Sequence, residues 1–304
     1  MTWDAMYFAM LFNSSIRMMA PILFVALGSA FCVRVRIFNI GLEGMMLTGA
    51  FAAIVANYFT GNVMLSLLSA MTASTLVALL AGVFMVKFKG AMLVVGIAIN
   101  ILMSAITTFL MQVIFNVRGA FLHPDLVSLP RIDVSFLERW PVLERMFMAL
   151  TWLDLFAFAA AIILFFVLFR TVTGFRIRST GINKEAAESL GIKAESLQIR
   201  TVAFSGLLSG IGGCLLVMGG VTMFMQDITA GRGFLALAAG NMGAAHPLGV
   251  IASSAFFGFA QALSNILQNT AFPNELTLAV PFAATIVALM LYNYMNLKRG
   301  RDIG

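Results

Sequence analysis

The sequence predicts an all-α polytopic membrane protein of about nine spans (8–10) arranged as two inverted repeats. Three observations carry that expectation. The 304-residue chain is 61% hydrophobic with a mean hydropathy of +0.98, and only 11% of its side chains are charged, against roughly 25% in soluble domains. The charges are missing in blocks, with none in 44–86, 90–117, 233–274 or 276–297. The order of blocks and charges also repeats. A helix crosses a hydrocarbon core with about 20 apolar residues, so each of the two longest blocks must fold back once.

Taken in order, the apolar stretches place spans at about 13–33, 40–60, 63–86, 91–115, 152–170, 199–221, 228–244, 247–267 and 276–295. All belong to a single transmembrane domain, 1–304. A first repeat occupies 13–115, an external loop 116–151, a linking span 152–170, a cytoplasmic connection 171–198 and a second repeat 199–295. Lys87, Lys89, Lys184, Lys193 and Lys298 fall on one side, with Arg34, Arg36, Arg170, Arg176, Arg178, Arg200, Arg299 and Arg301. By the positive-inside rule that side is cytoplasmic, which puts the N-terminus outside and the C-terminus in the cytoplasm. In the external loop, Arg118, Arg131, Arg139 and Arg145 are offset by Asp125, Asp133, Glu138 and Glu144. The net charge of +6 is therefore a topology signal and implies no nucleic-acid partner. Asp4 and a mixed polar start lack the basic region of a signal peptide, so the first apolar segment is expected to stay in the mature protein. Cys32 and Cys214 lie in apolar stretches and read as small buried hydrophobes, without disulfide or metal-ligand spacing.

The repeat shows in the charge punctuation. Arg34, Arg36 and Glu43 precede the block 44–86, and Lys87 and Lys89 follow it. Asp227 and Arg232 precede the block 233–274, and Glu275 follows it. Each half reads as four spans around a fifth. An offset of five spans is odd, so the second copy is upside down, as in transporters whose substrate path runs at the repeat interface.

Three motifs carry chemistry. In Phe38-Asn39-Ile40-Gly41-Leu42-Glu43-Gly44, glycines bracket a carboxylate directly before a charge-free span. Helix breaks survive at membrane depth only beside protein or water, and an ionisable residue there is a functional candidate. Asn39, Gly41, Glu43 and Gly44 are thus candidate pathway residues. The other reading starts a helix at the cytoplasmic interface, with Glu43 paired to Arg34 or Arg36. The second-half counterpart is Thr229-Ala230-Gly231-Arg232-Gly233-Phe234. Gly231, Arg232 and Gly233 either line the pathway or anchor an outer end. The third motif, Gly181-Ile182-Asn183-Lys184-Glu185-Ala186-Ala187-Glu188-Ser189-Leu190-Gly191, reads as a complete short helix. Asn183 suits the N-cap, Glu185 the positive end of the dipole, and Gly191 a left-handed stop. Ala186, Ala187 and Leu190 are expected on one face, where small side chains let another protein approach closely.

With these residues the sequence resembles the membrane permease subunits of bacterial ABC importers, in the branch serving ribose, branched-chain amino acids and nucleosides. Glu185-Ala186-Ala187 with Gly191 is similar to that family's coupling helix, which docks on the ATPase subunit. Asn39 to Met46, and Gly231 to Phe234 followed by Ala236-Leu237-Ala238, resemble the nucleoside-type permeases in particular. The resemblance runs from about Pro21 to Tyr294. It departs at His246-Pro247, where relatives more often carry a basic residue before the proline. It implies a bacterial inner-membrane subunit forming half of a translocation pathway for a small polar solute, nucleosides first, with a simple sugar or branched-chain amino acid as alternatives. It also implies separate ABC ATPase subunits, a second and homologous permease, and an extracytoplasmic substrate-binding protein or lipoprotein, all within membrane lipid. Gly181, Asn183, Glu185, Ala186, Ala187 and Gly191 would form the ATPase coupling site.

No Gly-x-x-x-x-Gly-Lys-[Ser/Thr] loop, His-Glu-x-x-His or Gly-x-Ser-x-Gly occurs, so no cofactor, metal or enzymatic activity is expected. His123, in the external loop, and His246, at a turn, read as structural. The rival from another class is an ion-coupled secondary transporter or channel, whose acidic candidates would be Glu43, Asp154, Asp227 and Glu275. Loop 116–151 is expected either to lie along the outer surface and meet a binding protein, or to cap the bundle.

Overall fold

The computed structural model describes residues 5–135, 139–268 and, within 279–290, all but 282, 288 and 289. The expected last span, 276–295, lies largely outside the described residues, as do Glu275, Lys298, Arg299 and Arg301. In chain order the helices are α1 (Ala5–Arg34), α2 (Leu42–Thr60), α3 (Val63–Gly82) continued by a π-helical turn (Val83–Lys87), and α4 (Met92–Phe115). There follow α5 (Pro141–Phe147), α6 (Trp152–Arg170), α7 (Val172–Ile182), α8 (Lys184–Ser189), α9 (Ala194–Met218), α10 (Arg232–Met242) and α11 (Pro247–Gln268). Two-residue strands, β1 (Ala120–Phe121) and β2 (Phe224–Met225), pair antiparallel. Among the described residues seven helices are long and apolar enough to cross a membrane: α1, α2, α3 with its π turn, α4, α6, α9 and α11.

Two expected spans differ in the structure. The stretch 228–244 is not a full span: α10 has 11 residues, about 16 Å at 1.5 Å per residue, half of a hydrocarbon core. Asp227, Ala230 and Gly231 before it, and Ala244 and Ala245 after it, take the left-handed conformation, which a continuing helix excludes. Conversely, α1 begins eight residues before the expected 13 and carries Arg17 inside it. Arg17 lines a small cavity there together with Asp154 and Arg232.

The centre of the bundle is α1, α2 and α9. Phe24, Leu23, Leu27, Met45, Met46 and Ile54 are fully buried there. By contrast α3, α4 and α6 leave Leu76, Phe109 and Ile163 open, as the lipid-facing side of a span requires. Because lipid gives apolar side chains no reason to leave it, spans associate through close backbone approach at small residues. A Cβ on Gly49 would stand 2.6 Å from Gly210 Cα, and one on Gly28 2.9 Å from Ser205 Cα. Gly213 lies against the Met46 carbonyl and Gly206 against Ala78. The Ser74 hydroxyl stands 2.8 Å from the Met45 carbonyl oxygen and 2.7 Å from that of Gly206, joining α3 to α2 and α9.

The described parts of loop 116–151 pack against the ends of α1, α2 and α9. Asn57, near the end of α2, donates to the Val127 carbonyl (2.8 Å) and accepts from its N–H (2.9 Å). Leu129 N–H donates to the Met218 carbonyl at the end of α9, and Asn13 of α1 donates to the Met146 and Met148 carbonyls. Phe121 stacks on Phe115 at 3.8 Å, with Tyr58 edge-on to both.

The α2–α9 contact has no room for a side chain. Gly213→Leu is expected to prevent recovery of a monodisperse protein in detergent. Gly213→Ala should lower the unfolding midpoint by several degrees, consistent with about 1–3 kcal/mol of overpacking, as followed by size-exclusion chromatography and a thermal melt.

Candidate functional site

The chain between α1 and α2 turns back into the bundle. Val35 and Ile37 N–H groups donate to the Cys32 carbonyl (3.1 and 2.9 Å), Arg36 adopts a positive φ of 58°, and Val35, Ile37, Asn39 and Ile40 are buried. Asn39 Nδ2 donates to Ser205 Oγ at 3.0 Å. Ser205 lies 11 residues into α9, about 16 Å along it, so this non-helical segment reaches membrane depth while enclosed by protein. Asn100 of α4 fastens it: its Oδ1 accepts from Gly44 N–H (2.8 Å) and its Nδ2 donates to the Ile40 carbonyl (3.0 Å). Gly96 permits the approach, since a Cβ there would stand 2.9 Å from Gly41 N.

Glu43 reaches the other broken segment. Its Oε1 accepts from Gly231 N–H at 2.8 Å and its Oε2 from Gly233 N–H at 2.6 Å. These N–H groups open α10 and have no helical partner, and a carboxylate there also faces the positive end of the helix dipole. Gly231 holds φ +80° as the N-cap residue. A Cβ on Gly233 would stand 2.6 Å from Glu43 N, so no larger residue fits. The two glycine–charge–glycine motifs of the sequence are therefore one structural junction. Glu43 is committed to it, and among the described residues no ion pair joins Glu43 to Arg34 or Arg36.

Arg232, between the two glycines, makes its hydrogen bonds to the turn before α10. Its Nη1 donates to the Ile228 and Thr229 carbonyls (3.1 and 3.3 Å), and its guanidinium borders a cavity of about 90 Å³ with Arg17 and Asp154. Asp154 Oδ2 accepts from the N–H and hydroxyl of Thr151 at 2.7 and 2.8 Å, closing a capping box at the start of α6.

One face of α4 is polar. Asn100, Ser104, Thr108 and Gln112 repeat every four residues, the spacing that stacks side chains along one helix face. With Ile101, Phe109 and Gln226 they line an open groove of about 620 Å³. At its upper edge the Asp227 carboxylate accepts from the Ser104 hydroxyl at 2.6 Å. Such a surface offers neutral donors and acceptors, one carboxylate and an aromatic face. A search for charges passes over this row because none of its four residues carries one. Uncharged amides and hydroxyls at four-residue spacing in block 90–117 are the signal that marks it.

The connection 171–198 folds as two helices. Asn183 ends α7 and caps α8, its Oδ1 accepting from Ala186 N–H at 3.0 Å. Gly191 has φ +81°, and Ile192 N–H closes on the Ala187 carbonyl (3.1 Å). Glu185 and Ala186 are exposed, and Ile182 and Leu190 are 76% and 78% exposed. Ala187 departs from the expected shared face: it is buried, because α8 rests on the protein through it and offers Ala186 and Leu190 outward. Gly181 lies directly on the Arg34 carbonyl at the end of α1. His246, at the turn before α11, packs 5.4 and 5.0 Å from the rings of Phe165 and Phe169, and His123 packs edge-on to Tyr58. Among the described residues no three His, Cys, Asp or Glu side chains gather to hold a metal ion.

Residues 11–289 match the family profile described as branched-chain amino acid transport system / permease component. The chain is similar to the guanosine ABC transporter permease protein NupQ of Bacillus subtilis, with 35% identity covering 89% of this chain and 88% of that protein. It is also similar to the nucleoside ABC transporter permease protein NupC of Lactococcus lactis, with 31% identity over 90% of this chain and 88% of the relative. A second guanosine ABC transporter permease protein of Bacillus subtilis, NupP, shares 27% identity over 81% of this chain and 71% of its own length.

Removing the Glu43 carboxylate strands two N–H groups at the start of α10. Hydrogen bonds to a charged group contribute about 1.5–3 kcal/mol each. Glu43→Ala should therefore lower the thermal midpoint and open 226–232 to limited proteolysis, with Glu43→Gln intermediate because one amide oxygen still accepts. Equal protease resistance in all three proteins would show that the junction holds without Glu43.

Proposed function

The chain belongs to the branched-chain amino acid transport system / permease component family, and from that premise we propose that it supplies half of the pathway by which an ABC importer moves a nucleoside across the bacterial cytoplasmic membrane. It is a transport subunit and not an enzyme. The observation that carries the pathway assignment is the row Asn100, Ser104, Thr108 and Gln112, open on a span that is otherwise apolar. Polar surface exposed within a span is costly unless it faces water or another subunit. The guanosine and nucleoside for which NupQ and NupC are named agree with what the groove can recognise. Sugar hydroxyls suit Asp227, Ser104 and the amides of Gln112 and Gln226, and a flat base suits Phe109.

The groove is open along its length, and a second, homologous permease subunit closes it. Two similar guanosine permease proteins in one organism support a pair of different chains. Asn39, Gly41, Glu43 and Gly44, with Gly231, Arg232 and Gly233, form the hinge behind this wall rather than its surface. The inverted-repeat reading, with α10 as a half-length element in place of one of the nine expected spans, has geometric support. The end of α1 and the start of α9 share one side, where Gln198 donates to the Val35 carbonyl (2.9 Å). The helices α2 and α10 start from the same junction in opposite halves. Glu185 and Ala186, on a segment shaped by Gly181, Asn183, Ala187 and Gly191, form the contact with the ATPase subunits; that side is then cytoplasmic, with the N-terminus outside and the C-terminus inside. Loop 116–151 then faces the extracytoplasmic binding protein.

The test is uptake of radiolabelled guanosine into proteoliposomes holding the chain with its partner permease, ATPase subunits and binding protein. Thr108→Val with Gln112→Leu should reduce uptake about tenfold, the scale of one or two lost hydrogen bonds, while ATP hydrolysis continues. Glu185→Lys or Gly191→Val should separate ATP hydrolysis from uptake with the protein still in the membrane. Concentrative uptake by the chain without any ATPase would overturn the importer reading. Full uptake by the α4 double variant would overturn the pathway assignment alone.

A further inference from the structure

Between the ends of α1, α6 and α7, on the side that carries α8, lies a pocket of about 520 Å³ bordered by Arg34, Arg36, Arg178 and Phe169. The guanidiniums of Arg34 and Arg178 both lie on the Phe169 ring, 5.8 and 5.1 Å from its centroid. Among the described residues no carboxylate comes within 4.0 Å of any of the three, since the ion pairs there involve only His123 and Lys184 as cations. Arg34 spends Nε and Nη2 on the Ala245 and Ala244 carbonyls (2.8 and 3.2 Å). Arg178 Nε is buried without a partner. His246 stands on the same aromatic ring, and burial, followed by the positive field of Arg34, holds its imidazole below the ordinary range. Like charges gathered without counter-charge repel one another, and a buried donor without an acceptor is costly. Both costs vanish when an oxyanion occupies the pocket.

We propose that this pocket holds the phosphate of an anionic phospholipid headgroup, which ties the end of α1 to α7 and so steadies the α8 segment. Basic pockets between span ends suit such headgroups, and guanidiniums suit phosphate oxygens. The lipid is favoured over a free phosphate by what lies beside the pocket. Phe166 and Ile162, four residues apart and one turn beyond Phe169 on α6, are 54% and 49% exposed. They continue from the arginines along an apolar face where an acyl chain lies. The site does not depend on which solute is carried.

The experiment uses the full chain purified with its ATPase subunits in nanodiscs of equal phosphatidylglycerol and phosphatidylcholine, with native mass spectrometry of the released complex. Retained phosphatidylglycerol should exceed retained phosphatidylcholine. The excess should fall about fivefold for each arginine neutralised in Arg36→Gln and Arg178→Gln, partly return in Arg178→Lys, and stay unchanged in Arg118→Gln at the opposite end of the bundle. The same excess in both Gln variants would overturn the proposal. So would a thermal stabilisation by millimolar inorganic phosphate in pure phosphatidylcholine equal to that given by phosphatidylglycerol, which would assign a free-anion site. Protection of the arginines from phenylglyoxal by ATPase subunits in lipid-free detergent would assign them to a protein partner and overturn it too.

Discussion

The hydrocarbon core supplies no water, so each backbone N–H and C=O at that depth needs a partner inside the protein. Most of this chain meets the requirement with continuous helices. Among the described residues, helical geometry breaks at 35–41 and at 219–231, and these two breaks satisfy one another. Glu43, just after the first break, accepts the two orphan N–H groups that open the helix after the second. Around this contact the other features become necessary. Gly233 must lack a side chain because Glu43 backbone occupies its place. Gly231 must hold a left-handed conformation to aim its N–H at the carboxylate. Asn100 must brace the strand-like segment so that Glu43 arrives where α10 begins.

The same constraint accounts for the small residues along α9. Without a hydrophobic force between spans, association rests on close packing and on hydrogen bonds with few competitors. Gly206, Gly210, Gly212 and Gly213 let α9 lie directly on α3, α1 and α2, and Ser74, Ser205 and Asn39 supply polar contacts at those crossings. A helix so rich in glycine would be a poor helix in water. Here the lipid enforces the helix, and the glycines are free to serve the contact.

These features explain what the sequence revealed and what it hid. Span 152–170 coincides with α6, bounded by a Thr151–Asp154 capping box at one end and Arg170 at the other, because charge and cap mark both limits. The helix 184–189 was legible for the same reason: Asn183 and Gly191 punctuate it. The half-length of α10 was not legible. The fold-back between 244 and 247 was expected, and there Arg34 donates to the Ala244 and Ala245 carbonyls; the late start at Arg232 was not, because the Glu43 contact that opens α10 there lies far away in the sequence. The inward turn of Ala187 was equally hidden, since alanine suits either face and only the tertiary support under α8 selects one. Glu43 announced itself as a carboxylate between glycines. Its partners, two backbone N–H groups about 190 residues away, carry no side-chain signature.

The contacts also run without interruption from α7 and α8 to the polar groove. Gly181, where α7 meets α8, sits on the carbonyl of Arg34. Arg34 grips the carbonyls of Ala244 and Ala245 at the far end of α10. The near end of α10 is held by Glu43, and Gly44 beside it is held by Asn100 of the groove. Every link is either a close backbone contact or a hydrogen bond to a main-chain group, so none can stretch far before it breaks. An 11-residue helix gripped at both ends moves as a rigid rod, not as a bending one. The start of α2 and one residue of the groove are therefore joined to α7 through α1 and α10. The short helix is thereby held by protein at both ends, by Glu43 where it opens and by Arg34 just past its close.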